Sequence, residues 1–210
     1  MALVFPPEPH LEPALRARGI AVQGVRAAHT GYAGNLLPGG SLSVWARVFR
    51  LQQPTFFFTP GKDLREARGV LALLGPPLHP RVAQEGIWLA QQWSRTRGPA
   101  MPVLRGLPLT LAWAWEEEPG YLEGPYFSQS LWQAARRRAW QALEGPLEEA
   151  RKAGVIARGG LYSGQEFLRE AQRQGLVVLG LPQQGLRWGW ASRVCSLLSR
   201  GALGVLVVTE

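Results

Sequence analysis

A glycine-rich turn near the C-terminus has the composition of a phosphate-binding loop. The stretch LGLPQQGLRWGWASR (179–193) follows an apolar run and precedes a predicted helix, and it contains Gly180, Gly185, Gly189 and Ser192. Glycines let the backbone approach an anion closely, and the N–H groups at a helix N-terminus stabilise negative charge. The turn is therefore a candidate phosphate site.

The other residue types that could do chemistry are isolated in the sequence. The carboxylates at 116–118 follow a predicted strand, where catalytic acids can lie, but no base or metal set accompanies them. We interpret His10, His29 and His79 as surface or capping residues, and Cys195 as a small apolar residue of a helix. One cysteine excludes an internal disulfide. We expect no catalytic residue and no metal site.

The net charge is +8, and almost all of the positively charged residues are arginines. Three of them, Arg136, Arg137 and Arg138, lie between Trp132 and Trp140 on a predicted helix, and basic residues beside aromatic rings can bind nucleic acid. Consecutive arginines, however, point in different directions around a helix, and tryptophans two turns apart are typical of a core. We expect a solvated surface here, with nucleic-acid association as an alternative.

The elements that would position these residues alternate between strand and helix from residue 69 onwards. Apolar runs bounded by glycine or proline predict strands at 69–75, 107–115, 154–164, 175–181 and 204–210. Helical periodicity predicts helices at 80–97, 128–153, 164–174 and about 191–199, and Ser163 and Glu166 have the spacing of a capping box. Gly145-Pro146 should kink or split the second of these helices. The fold class is α/β, a parallel sheet with helices on both faces.

Composition narrows the class of protein. With 46% hydrophobic and 18% charged residues, the chain is expected to be a packed globular protein. Its longest apolar runs have strand length, and MALVFPPEPH lacks a basic region before an apolar one, so we predict no membrane span and no signal peptide. Scarcity of asparagine, cysteine and methionine indicates a thermophile, and we expect a cytoplasmic protein.

The first sixty residues repeat the second half of this pattern. LEPALRARGIAVQG (11–24) aligns without gaps over FLREAQRQGLVVLG (167–180), which places Gly19 on Gly175 and Gly24 on Gly180. Residues 40–60 match 191–210 with a one-residue slip, and ALVF (2–5) would be a further strand. We therefore predict a half domain at 1–60, a linker at 61–68 (GKDLREAR) and a complete domain at 69–210.

The order of elements and the closing motif resemble the universal stress protein family. The motif is strand, Gly180, loop, a small residue, Ser192, helix, and a last strand VLVV that begins thirteen residues after Ser192. The resemblance covers 69–210 in full and 2–60 as a half domain. It implies a five-stranded parallel sheet of the flavodoxin-like or adenine-nucleotide-hydrolase-like layout.

The family's ATP motif is altered in this chain. Many members use an acidic residue at the end of the first strand and the pattern G-x2-G-x9-G-[S/T] after the fourth. Here Gly75 stands at the acidic position, Gly180 fits the first glycine, Gln183 stands at the second, and Ala191 replaces the third, before Ser192. The loop is also two residues short. The resemblance thus implies a degenerate nucleotide cleft, with Gly185 and Gly189 in its loop.

Two further features bear on this cleft. Trp188 and Trp190 fall in the shortened loop, and we predict that they plug the vacated site. The half domain has its own glycine-rich stretch, with Gly31, Gly34, Gly40 and Ser41, which is a weaker phosphate candidate. That stretch is longer than the family pattern, and its half domain lacks the first strand.

The resemblance also carries expectations about partners. In the family the last strands of two domains pair antiparallel across a dimer, so the strands at 54–60 and 204–210 would form a pseudo-dimer within this chain. The missing strands of the half domain would expose apolar surface, which favours a homo-oligomer.

The sequence therefore predicts a non-enzymatic, universal-stress-protein-like regulatory or interaction protein with a degenerate ATP-binding loop and no cofactor. The first alternative is an ATP- or AMP-binding stress module that uses a modified loop around Gly180, Gly185 and Ser192. The second is a nucleic-acid-associated protein that uses its arginine-rich surface.

Overall fold

The computed structural model describes residues 11–25, 51–75, 79–92, 106–115, 129–181 and 187–209. Within these ranges the strands and α-helices follow one another in the order α1 (Leu11–Ala17), β1 (Ala21–Gly24), β2 (Thr55–Phe58), β3 (Gly69–Gly75), α2 (Pro80–Gln92), β4 (Leu109–Trp115), α3 (Gln129–Lys152), β5 (Ala157–Ser163), α4 (Gly164–Gln174), β6 (Gly175–Gly180), α5 (Arg187–Ser199) and β7 (Gly204–Val208). None of the helices in these ranges is long and apolar enough to cross a membrane.

The seven strands form one sheet in the order β1-β2-β7-β6-β3-β4-β5. Strands β7, β6, β3, β4 and β5 are parallel to one another, as the strand–helix alternation predicts. The whole sheet is larger than the predicted five parallel strands and is not purely parallel, because β1 and β2 extend it and β2 runs antiparallel to β7. The edge of β7 would otherwise present unpaired backbone groups, and the apolar strand β2 satisfies them.

Helices cover both faces of the sheet. Leu15 of α1, Leu89 of α2 and Leu143 of α3 belong to the core on one face, whereas Phe167 of α4 and Leu198 of α5 belong to the core on the other. Every residue of β3, β6 and β7 is buried. Strands that are apolar along their whole length are the expected result when a parallel sheet is covered on both sides.

The strands at 54–60 and 204–210 do pair antiparallel. Phe56 lies opposite Leu206, Phe58 lies opposite Gly204, and both phenylalanines are fully buried. An ideal Cβ at Gly204 would lie 2.4 Å from Cζ of Phe56, so only glycine leaves room for that ring. This pairing joins the N-terminal segment to the rest of the sheet through apolar contacts as well as backbone hydrogen bonds.

An ion pair also fastens the N-terminal segment. Nε of Arg18, just after α1, lies 2.7 Å from Oε2 of the buried Glu85 on α2, and its Nη2 lies 3.2 Å from Oε1. The same guanidinium lies 4.9 Å from the ring centroid of Trp88. Near the start of α2, Nη1 of Arg81 donates to the carbonyl of Thr209 at 3.1 Å. Helix α2 is thus held to α1 and to the end of β7.

Local signals place several helix boundaries. The Ser163 hydroxyl accepts the N–H of Glu166, whose Oε2 accepts the N–H of Ser163 at 2.8 Å, so the predicted capping box is confirmed. Helix α3, by contrast, continues through Gly145 and Pro146, which do not split it. Within the predicted linker, Leu64 is fully buried at a short 3₁₀ turn.

Candidate functional site

The candidate cleft lies where the connections of the sheet change direction. Strands β3 and β6 are neighbours, but the helices that follow them, α2 and α5, pack on opposite faces. In doubly wound sheets, ligands bind at such a switch point, outside the carboxyl ends of the strands. Gly75 and Gly180 are the last residues of β3 and β6, so the structure brings these two predicted site residues to the same edge.

The side chain of His79 fills the space beside Gly180. An ideal Cβ at Gly180 would lie 2.3 Å from Cγ, 2.4 Å from Cδ2 and 2.5 Å from Cβ of His79. The His79 side chain is therefore packed directly against the end of β6, and the residue is only 4% exposed. Cβ of His79 is about as close as the ring and does not move when the side chain changes rotamer, so rotation of the imidazole alone could not make room for another group.

The position of His79 follows from the way α2 begins. His79 precedes Pro80, the first residue of α2, and its carbonyl accepts the N–H of Val82 at 3.2 Å. The N–H of His79 donates to the carbonyl of Leu74 at 3.1 Å. Proline is favoured as the first helical residue, because its fixed φ suits the helix. His79 thus has the capping position that we predicted, but its burial in the cleft was missed.

The ring of Trp113 occupies the corresponding space beside Gly75. These residues lie opposite each other in the pairing of β3 with β4, after a shift of register between Leu73 and Gly75. An ideal Cβ at Gly75 would lie 2.6 Å from Cζ3 of Trp113 and 2.8 Å from both Cε3 and Cη2. Trp113 is half-buried instead of fully in the core. An acidic side chain at residue 75 would collide with the indole ring.

The predicted loop after β6 is shorter than the sequence indicated. Helix α5 begins at Arg187 and not near Ala191, so the prediction of Gly189 as a loop residue is wrong. Ser192, which was predicted at the start of the helix, is its sixth residue. The backbone of Trp188 and Trp190 also lies inside α5. Their side chains and Gly185 lie outside the described part of the structure. The N–H groups that a helix leaves unpaired belong to its first four residues, which excludes Ser192. Packing of α5 on the sheet outweighs the low helix propensity of glycine.

Several predicted residues cannot be compared with the structure. The second phosphate candidate (Gly31, Gly34, Gly40 and Ser41) lies outside the described residues. So do His10, His29, the carboxylates at 116–118 and the ALVF segment at 2–5.

A partly buried polar cluster lies at the opposite end of the strands. Arg158 of β5 forms an ion pair with Glu170 of α4, and its Nε donates to Oγ1 of Thr110 at 3.1 Å. Nε2 of Gln174 donates to Oε1 of Glu170 at 2.7 Å. Thr110 and Arg158 are each the second residue of their strands, so the cluster joins α4 to the amino ends of β4 and β5 and has no contact with the cleft.

Other candidate reactive groups are also structural. Burial raises the pKa of the Cys195 thiol, which disfavours the nucleophilic thiolate. Among the residues that the structure describes, no group of three or more His, Cys, Asp or Glu side chains is arranged to hold a metal ion.

The three consecutive arginines of helix α3 lie in solvent. Arg136, Arg137 and Arg138 are all exposed, and successive residues of a helix point about 100° apart, so they do not line one groove. Trp132 lies against Trp115, with ring centroids 4.8 Å apart. Trp140 is 41% exposed, which makes its prediction as a core residue wrong.

Comparison with known proteins gives a match in structure alone. No family model and no curated protein matches the sequence. A universal stress protein from Archaeoglobus fulgidus superposes on this chain with a TM-score of 0.50 and 14% sequence identity. The match covers 95% of this chain and 65% of the Archaeoglobus chain. The chain has the fold of universal stress proteins. A functionally unknown protein from Pseudomonas aeruginosa has a TM-score of 0.52 at 14% identity, over 94% of this chain and 66% of its own.

A third structure covers a smaller part of the chain. It belongs to the universal stress protein family of Burkholderia pseudomallei, with a TM-score of 0.46 at 14% identity, over 69% of this chain and 96% of its own. This chain spans about 65% of the length of the Archaeoglobus and Pseudomonas proteins.

Proposed function

We propose that this chain is a non-enzymatic regulatory or interaction protein, in which the protein's own side chains take the place of a nucleotide. The observation that carries the proposal is the filled cleft: His79 packs on Gly180 and Trp113 packs on Gly75. The end of β3 carries no carboxylate, and Ser192 lies inside α5. Both features remove groups with which the universal stress protein pattern would bind ATP.

The ATP-binding alternative would require a rearrangement of this cleft. His79 would have to leave Gly180, although its backbone bonds to Leu74 and Val82 hold the start of α2. Such a movement would separate the first turn of α2 from the end of β3. The closed cleft therefore favours a function exerted through the protein surface.

Calorimetric titration with ATP, AMP and a cyclic nucleotide tests the proposal, with tryptophan fluorescence as a second readout. We expect no binding heat up to about 1 mM nucleotide, which corresponds to a binding free energy weaker than about 4 kcal/mol. Submicromolar binding would contradict the proposal. The variant His79→Gly, which opens the space beside Gly180, shows whether the histidine alone prevents binding.

The proposal includes a half domain at 1–60 that pairs with the complete domain as a pseudo-dimer. In support, the register of β2 and β7 has a local twofold axis, which passes between Phe56 and Leu206 and exchanges Thr55 with Val205. Through the pairings β1–β2 and β6–β7, the same axis places Gly24 on Gly180. This correspondence is the one that the gap-free sequence alignment gives.

Backbone details agree with the same correspondence. The N–H of Val25 donates to the carbonyl of Phe58 at 2.8 Å, and the N–H of Leu181 donates to the carbonyl of Val208 at 2.8 Å. The glycines at 19 and 175, which the alignment superposes, have φ values of 74° and 88°. Both agreements favour a duplicated pair of strands, β1–β2 and β6–β7, whereas the helices α1 and α4 that precede them pack on opposite faces of the sheet.

A further inference from the structure

The outer edge of β1 has backbone groups that no strand in the described ranges pairs with. On its inner edge, the N–H of Ala21 donates to the carbonyl of Pro54, and the N–H of Val25 donates to that of Phe58. Backbone groups along a strand alternate between its two edges, so the N–H and carbonyl groups of Val22 and Gly24 point away from β2. An edge of this kind is a template for one more strand.

The strand related to β1 by the local twofold axis indicates what this edge would accept. That strand is β6, whose corresponding edge pairs with β3 in parallel, from Gly69 opposite Gly175 to Leu73 opposite Leu179. Strand β3 is buried on both faces, and its sequence is GVLALLG. Within the described residues, the pair β1–β2 lacks an equivalent of β3.

We infer that the outer edge of β1 is a docking site for a separate protein that supplies a parallel strand, apolar on both faces. The inference rests on the proposed half domain and is independent of the filled cleft. Main-chain hydrogen bonds to Val22 and Gly24 would provide affinity, as in other cases of strand addition to a sheet edge. Burial of the incoming apolar side chains against the existing core would add to it.

Among the strands that the structure describes, a second copy of this chain offers none of this kind. Its β3 is paired on both sides, with β4 and with β6. Its other edge strand, β5, carries Arg158 and two adjacent glycines, and its residues are partly or fully exposed. Since these described strands do not fit, the inference assigns the edge to a different polypeptide.

Binding of a peptide tests the inference on the intact, ¹⁵N-labelled protein. The probe is the β3 sequence GVLALLG with lysines added at both ends for solubility. In the free protein we expect the amides of Val22 and Gly24 to exchange with solvent faster than those of Ala21 and Val25. The peptide should then slow exchange at Val22 and Gly24 and shift their resonances.

Two proline variants locate the binding edge. Proline is tolerated on an edge strand where the N–H points outward, so Val22→Pro should weaken peptide binding by at least about tenfold with little change in melting temperature. Leu161→Pro is the matched control, because the N–H of Leu161 points away from β4, toward the outer edge of β5. This direction follows from Ile156, whose carbonyl accepts the N–H of Leu109, because the backbone groups of successive residues alternate between the two edges of a strand. This variant should bind the peptide as the unaltered protein does.

Four results would overturn the inference. The first is slow exchange of Val22 and Gly24 in the free protein, which would mean that the chain covers its own edge. The second is loss of peptide binding in Leu161→Pro, and the third is the absence of any binding at millimolar peptide. The fourth is a homodimer, measured by light scattering, that Val22→Pro dissociates, because the occupant would then be a second copy. None of these results bears on the nucleotide titration that tests the filled cleft. The proposed docking edge and the proposed filled cleft can therefore fail independently of each other.

Discussion

Replacing Gly180 with alanine tests directly whether His79 fills the cleft. The new methyl group would lie 2.3–2.5 Å from three atoms of His79, including Cβ, so either the start of α2 or the end of β6 must move. Overpacking of a core costs about 1–3 kcal/mol. Alanine also lowers the entropy of the unfolded chain, which offsets about 0.4–1 kcal/mol of this cost, since Gly180 does not have a positive φ that would strain alanine.

The net expectation for Gly180→Ala is a destabilisation of about 1–2 kcal/mol, which lowers the melting temperature by about 2–8 °C in a chain of this size. Urea denaturation measures the free energy of unfolding, and calorimetry measures the melting temperature. The same substitution in a His79→Gly background should cost less, with a coupling free energy of at least about 1 kcal/mol. Glycine is used there because alanine would keep the Cβ atom at 2.5 Å.

Gly145→Ala is the matched control for this substitution. An ideal Cβ at Gly145 meets no atom within 4 Å, and the residue lies inside α3. Alanine there should stabilise the protein by about 0.5–1 kcal/mol. The reasoning is refuted if Gly180→Ala is as stable as the unaltered protein, or if its cost is the same with and without the His79 side chain.

Four further predictions concern the same fold. Gly75→Ala should destabilise the protein by about 1 kcal/mol and shift the fluorescence of Trp113, whose ring must move. Loss of the Ser163 cap in Ser163→Ala should cost about 1 kcal/mol in urea denaturation. The hydrogen bond from the backbone N–H of Ser163 lowers the pKa of Glu166 below its ordinary value. This carboxylate therefore stabilises the fold above its pKa in the unfolded chain, and the contribution is lost as the pH falls through its pKa in the folded protein. Glu166→Gln should show a weaker loss of stability in acid. Phe56→Ala should cost about 3–5 kcal/mol in urea denaturation, because its fully buried ring packs over Gly204 of the neighbouring strand.

Local chemistry explains what the sequence could predict. The capping box at Ser163 depends on residues three apart, and the strands β3, β6 and β7 are short apolar runs, so both are readable along the chain. The pairing of β2 with β7 came from the resemblance. The start of α5 was misplaced, because Gly189, which has a low helix propensity, was assigned to the loop, whereas the helix includes it.

The filled cleft could be predicted only in part. Gly75 and the shortened loop indicated a degenerate site, and both are local features of the sequence. His79 could not be assigned to this site, because its contact with Gly180 joins residues about a hundred positions apart and depends on how α2 crosses the sheet. Trp113 similarly reaches Gly75 through the register of β3 with β4, which includes an irregularity that no sequence pattern showed.

The most direct test of a filled cleft is the titration of the unaltered protein with ATP, followed by calorimetry and tryptophan fluorescence. We predict neither binding heat nor a saturable fluorescence change up to about 1 mM ATP. Saturable binding at submicromolar ATP, with exchange of His79 and Gly180 amides altered by the ligand, would show that the cleft is a nucleotide site and would contradict the proposed function.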